Sequence, residues 1–262
     1  MPTLLRRTLS AWTAIVLLFL WLPIGILVAW SFNDSRLNVL WHGFTWRWYG
    51  AAFSDAGLLR CLGNSLQVAL WTTLLAVPLG TAAAFLLERF RFRGRMALET
   101  LLLLPMIAPE VVIGVSLLAL FVAVHRELGV ATVVISHVTF CIPFVLVAVR
   151  ARLATLDPAL EEAALDLGAT PTGALLRVVL PVMAPAITAA AILSFMLSFD
   201  EFIVTWFTAG PGSRTLPIEI YGRVRRGLDP SLNAISSVLV LATLLLVAAV
   251  GWLRRHSPGP HR

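Results

Sequence analysis

Six stretches of this chain run for about twenty residues with little or no charge, and no other feature limits the possible folds so strongly. They lie at about 11–31, 64–87, 98–124, 130–149, 184–207 and 233–253. A helix rises about 1.5 Å per residue, so each stretch is long enough to cross a hydrocarbon layer about 30 Å thick. Apolar residues make up 59% of the chain and charged residues 13%, a balance that suits a bilayer and not a water-soluble globule. The expected fold is an all-α integral membrane protein, with six transmembrane helices in a single domain over residues 1–262. Arg6 and Arg7 precede the first stretch as they would in a signal peptide. Its apolar run exceeds an ordinary h-region and no A-x-A site closes it, so it reads as a retained anchor.

The basic residues orient the spans. All 20 are Arg, and with six spans the segments 1–10, 88–97, 150–182 and 254–262 fall on one side with 12 of them, including Arg89, Arg91, Arg93 and Arg95. The positive-inside rule places that side, and both termini, in the cytoplasm. Arg223, Arg225 and Arg226 fall on the other side, against the trend. The net charge of +6 is mostly this topology signal, which removes the case for nucleic-acid binding.

The segment 150–182 carries its own folding signals. Asp157 is a good N-cap, Pro158 suits the first helical position, Glu161 and Glu162 favour the positive end of the helix dipole, and Gly168 can adopt the left-handed conformation that ends a helix. A helix of about ten residues follows. Its Leu160, Ala163, Ala164 and Leu167 share one apolar face, with two small residues at the centre where a partner can approach closely. Thr170 and Pro171 repeat the starting signature and predict a second short helix, running to Leu180 before Pro181 interrupts it.

Glu162-Ala163-Ala164, then Leu165, Asp166 and Leu167, then Gly168, nine residues, and Val178-Val179-Leu180-Pro181 resemble the EAA cytoplasmic loop of ABC-importer permeases, with Val178 where that family usually has Ile. Other stretches resemble the polyamine permeases of that group, most closely the second spermidine/putrescine permease type: Ser31-Phe32-Asn33, Trp48-Tyr49, Arg91-Phe92-Arg93-Gly94, Ser136 through Phe144, Ser198-Phe199-Asp200-Glu201, Gly210-Pro211, Leu216-Pro217, Ile220-Tyr221, Asp229-Pro230 and Asn233-Ala234. The resemblance implies the type I ABC-importer transmembrane domain in a bacterial inner membrane. It makes 150–182 a coupling loop, with Glu162, Ala163, Ala164, Asp166, Gly168, Leu180 and Pro181 as ATPase-coupling residues. It further implies a cytoplasmic ABC ATPase dimer that binds ATP and Mg, a second and different permease subunit, and a periplasmic solute-binding protein delivering spermidine or putrescine. The same fold also imports other solutes, such as iron and thiamine.

Carboxylates within the spans are the substrate-path candidates, because a charge at the bilayer centre costs roughly 2.5–3.5 kcal/mol and therefore faces a bundle interior or a wet cavity. These are Glu110, Asp200 and Glu201. Ser194, Ser198, Glu201 and Thr205 recur at helical spacing and form a polar stripe. Two readings of the doublet stand side by side, a lining for the path and a solvated pair at the interface. Glu110 follows Pro105 and Pro109, which break a helix, so it either contacts solute or stabilises the start of a half-helix. Phe199, Phe202 and Trp206 offer cation–π faces or face lipid.

Other chemistry finds little support. Cys61 and Cys141 lack metal spacing, His125 and His137 lack ligand-spaced partners, and no Walker, HExxH or Ser/His/Asp signature occurs, so this chain carries no cofactor of its own. An intramembrane acid-dyad hydrolase needs two facing carboxylates, and adjacent residues on one helix point about 100° apart. The Trp41, Phe44, Trp46, Trp48 and Tyr49 cluster fits a membrane-interface belt.

Overall fold

A computed structural model describes residues 2–35, 40–227 and 230–256, with side chains over 5–35, 40–227 and 230–245. Asp229 and the side chains of Arg254, Arg255 and Arg262 lie outside the described residues, as do the side chains of the sixth expected span beyond Leu245. The helices are α1 (Pro2–Trp30), α2 (Arg47–Ser54), α3 (Ala56–Arg89), α4 (Arg95–Ile107), α5 (Glu110–Ala123), α6 (Val130–Leu153), α7 (Ala159–Asp166), α8 (Pro171–Ala174), α9 (Leu180–Asp200), α10 (Ile203–Thr208), α11 (Leu216–Arg226) and α12 (Pro230–His256). Among the described residues, extended pairing is limited to one bridge between Asn33 and Phe44.

Four helical segments are long and apolar enough to cross a membrane, over Leu5–Trp30, Ala56–Arg89, Val130–Leu153 and Pro171–Asp200. None of the apolar window of the first is buried, and Trp12, Leu18 and Phe19 stand about two-thirds exposed, which is unfavourable in water and suits an apolar surrounding. The third expected span breaks at Pro109, as the sequence suggests, whereas Pro105 lies inside α4 without ending it. The span is two half-helices, α4 and α5, bent by 112°. Pro109 is the cause: the residue before a proline is driven out of the helical region, and Ala108 is extended at φ −70°, ψ 143°.

The fifth span departs from expectation at both ends. Pro181 does not interrupt the preceding helix, and the helical path runs unbroken from Pro171 to Asp200. A proline ring clashes with the carbonyl four residues back, here that of Arg177, and Arg177 sits in a π-helical turn over Leu175–Val179 whose extra residue per turn relieves the crowding. At the other end the span breaks. Glu201 is extended at φ −66°, ψ 122°, so Asp200 and Glu201 are not successive residues of one continuous helix.

The chain forms two compact units, residues 1–59 with 220–262 and residues 60–219. In the first, α12 packs on α1 and α2. Phe32, Phe44, Trp46 and Tyr49 form an aromatic cluster with ring centroids 4.8–5.6 Å apart, and buried Trp48 donates its indole N–H to the Asn33 carbonyl at 2.7 Å. Arg223, anomalous by the charge rule, pairs with Asp55 at 2.7 Å. The Leu58 backbone N–H first, and Arg223 after it, hold the Asp55 carboxyl below the usual carboxylate range.

In the second unit, α6 is the central rod, packing on α9, α4 and α10. One apolar cluster joins Ala84 of α3, Val145, Val149 and Leu153 of α6, Val179 of the π turn, and Met183 and Ala190 of α9. Another joins Ala76, Ile113, Phe140, Cys141 and Val204. Gly80 lets α3 approach α6 closely: a Cβ there would lie 2.7 Å from the Cβ of Val145 and 3.1 Å from the Ile142 carbonyl oxygen. Gly80→Val is expected to lower stability by about 1–3 kcal/mol through overpacking, measured as a lower thermal midpoint in detergent, with Gly80→Ala intermediate.

Candidate functional site

The loop residues 157–181 and the acids Glu110, Asp200 and Glu201 form two groups, both within the second unit. The first is the loop around α7. Asp157 caps it, accepting the Ala159 N–H through Oδ1 at 3.0 Å. Its far end is a Schellman motif: Ala169 N–H bonds to the Ala164 carbonyl at 3.0 Å, Gly168 N–H to the Leu165 carbonyl at 2.9 Å, and Gly168 takes φ +85°. Thr170 then caps α8, accepting the Gly173 N–H at 3.1 Å. Both caps stand where the sequence puts them.

The apolar face of α7 divides. Ala164 is buried against the chain itself, while Leu160, Ala163 and Leu167 are exposed, Leu167 at 89%. Glu162, Asp166, Gly168 and Pro181 are exposed, and Leu180 is half-buried. Glu161 has a partner that the sequence does not announce. Its two carboxylate oxygens face the two terminal nitrogens of Arg89, at the end of α3, each at 2.6 Å. Beside it Arg150 of α6 reaches Glu88 of α3 at 3.0 Å and Glu99 of α4 at 2.5 Å. Bidentate and shared Arg pairs fix geometry better than single contacts. One end of α3, α4, α6 and α7 is thereby tied together by two arginines.

The second group surrounds the two helix breaks. The helices α5 and α10 pack against each other, with Gly114 so close to Phe207 that a Cβ would lie 2.6 Å from the ring. This contact brings Glu110, first residue of α5, toward the Asp200–Glu201 doublet, and Glu110 and Asp200 are the two acids whose charge reaches Glu201. Glu201 is buried, 7% exposed, and its carboxylate accepts the Val204 N–H at 2.8 Å. Asp200 and Glu110 are exposed. Among the described residues, none of the three acids has an ion-pair partner.

Ser194 and Ser198 are both buried, in the seam where α9 packs on α6. Ser194 Oγ has no hydrogen-bond partner among the described residues, whereas Ser198 Oγ lies 2.7 Å from Nδ1 of His137. Nε2 of the same ring lies 2.8 Å from Thr205 Oγ1, so His137 bridges the break from α9 to α10. From the sequence, His137 has no ligand-spaced partner and reads as structural, with nothing beside it in the chain to name the hydroxyls it meets. Its signal was the hydroxyl spacing of the fifth span, which faces α6.

Apolar helices, a capped helix–turn–helix and acids without an ion-pair partner among the described residues at two broken spans fit a membrane permease subunit. The family model for the inner membrane component of binding-protein-dependent transport systems matches residues 76–257, and the chain belongs to that family. It is 39% identical over 254 residues to the putrescine transport system permease protein PotI of Escherichia coli (strain K12), covering 93% of this chain and 90% of that one. It is 39% identical over 231 residues to the spermidine/putrescine transport system permease protein PotC of the same strain, covering 88% of each. The structure of a bacterial alginate ABC transporter, solved with an alginate pentasaccharide-bound periplasmic protein, superimposes with a TM-score of 0.73 over 98% of this chain and 96% of that chain at 17% identity. The fold is therefore that of a type I ABC-importer transmembrane domain in a multi-pass inner-membrane permease, and the family is non-catalytic.

The Arg89–Glu161 pair is testable on its own. Arg89→Glu is expected to speed limited proteolysis within residues 155–170 by about two- to fivefold, the scale of a partly exposed pair, and adding Glu161→Arg to restore the original rate.

Proposed function

We propose that this chain moves polyamines, putrescine or spermidine, across the inner membrane as one permease subunit of an ATP-driven importer. The observation that carries the reading is the meeting of three carboxylates at two helix breaks with no ion-pair partner among the described residues. Uncompensated carboxylates at membrane depth are costly, and a solute bearing several ammonium groups supplies the missing charge. The names of the E. coli relatives point to the same solutes. The exposed pair, Glu110 and Asp200, meets the cation, while the carboxylate of Glu201 is engaged with the backbone of α10.

Energy enters at the other group. A cytoplasmic ATPase dimer, which holds ATP and Mg, docks on residues 158–181 through the exposed Leu160, Ala163 and Leu167, and Glu162 and Asp166 flank that surface. The Arg asymmetry supports placing this loop and both termini in the cytoplasm. A different permease subunit completes the pathway, and a periplasmic binding protein delivers the solute to the opposite side. Two measurements test the reading. Asp200→Asn and Glu110→Gln are each expected to lower labelled putrescine uptake about tenfold at equal membrane abundance, and unchanged uptake at sub-saturating putrescine would remove them from the path. Ala163→Asp, which puts a charge on the docking surface, is expected to abolish uptake and binding-protein-stimulated ATPase together. Retained stimulation would count against the coupling surface.

A further inference from the structure

We infer that His137 is a positioning residue for solute capture, the strut that holds the fifth span open at its break so that Asp200 is presented to the cation. The inference rests on the proposed role of the acids and extends it to a side chain that touches no solute. His137 is fully buried on α6, and its two ring nitrogens reach hydroxyls on opposite sides of the break, Ser198 near the end of α9 at 2.7 Å and Thr205 within α10 at 2.8 Å. A hydroxyl has one proton, and that of Thr205 goes to the Glu201 carbonyl, so Nε2–H of His137 donates to Thr205 Oγ1 and Nδ1 accepts from the Ser198 hydroxyl. The Thr205 bond to the Glu201 carbonyl, at 3.0 Å, ties the strut to the non-helical residue itself.

Geometry makes the ring more than packing. Ser198 and Thr205 are seven residues apart, which on an unbroken helix is nearly two turns, or about 10 Å of rise. The extended Glu201 changes that spacing and direction, and one imidazole spans what remains. A leucine of similar bulk would fill the space and leave the relation between α9 and α10 unfixed. Asp200 and Glu201, which lie between the two hydroxyls in sequence, would then lose a defined direction toward Glu110. A further bond closes the frame: Thr132, one and a half turns before His137 on α6, donates to the Thr208 carbonyl of α10 at 2.8 Å.

The test uses the whole transporter in proteoliposomes, with putrescine as probe, and reads solute carried per ATP hydrolysed. Poor folding lowers uptake and hydrolysis in proportion and leaves this ratio unmoved, whereas misdirected acids let ATP turn over without cargo. His137→Leu and, separately, Thr205→Val are expected to lower the ratio about tenfold, with Thr205→Ser, which keeps the hydroxyl, restoring it. Combined with Asp200→Asn, neither should lower the ratio further, because both act through one site. If Asp200→Asn lowers the ratio while His137→Leu and Thr205→Val leave it at the wild-type value, the strut is overturned and the solute reading stands. If Asp200→Asn itself leaves the ratio unchanged, the solute reading fails and the strut with it.

Discussion

Hydrocarbon offers no hydrogen bonds, so a chain crossing it must satisfy its backbone from within, and irregular backbone survives only where protein or a wet cavity takes over. This chain departs from regular helix within its expected third and fifth spans, at Ala108–Pro109 and at Glu201–Phe202. Each departure has a local remedy. At the second, the Glu201 carboxylate accepts the Val204 N–H and the Glu201 carbonyl accepts from Thr205. The acids occur at these same places. On the proposed reading, a helix break is what allows carboxylates to sit at membrane depth, since an unbroken lipid-facing helix would leave them without polar company.

The other end of the unit is built from charge instead of breaks. Arg150 holds Glu88 and Glu99, and Arg89 holds Glu161, so α7 is attached to the rod-like helices and not only to its own flanking chain. Arg150 and His137 both lie on α6, thirteen residues apart, a separation of about 20 Å. Behind the arginines lies the apolar cluster of Ala84, Val145, Val149, Val179 and Met183. Close-packed side chains transmit displacement with little loss. On the proposed reading, motion at α7 thus reaches the broken span through one continuous helix.

What the sequence makes legible is what depends on near neighbours. Apolar run length locates the four long spans, and the two capped helices of the loop follow from Asp157, Gly168 and Thr170 because caps act within four residues. Pro109 announces a break, but its 112° angle depends on what α4 and α5 pack against. Pro181 misleads, since a π turn five residues long absorbs the clash that a regular helix cannot. The Arg89 and Arg150 pairs and the His137 bridge join residues 51 to 72 positions apart, and periodicity within one helix carries no information about which helix it will face.

Charge selectivity in such a fold has to be a property of few residues. A transporter of the same architecture is described as importing an acidic polysaccharide, so the helical frame does not choose the sign of the cargo. In this chain the frame offers acids, two exposed and one buried, and on the proposed reading their burial divides their work. A carboxylate that already accepts a backbone N–H and is shut from solvent has little capacity left for an incoming ammonium. Exposed neighbours on either side keep theirs. On the proposed reading, spacing between the exposed acids, set by the contact of Gly114 with Phe207 and by the direction of the chain at Glu201, is the feature by which one polycation is distinguished from another.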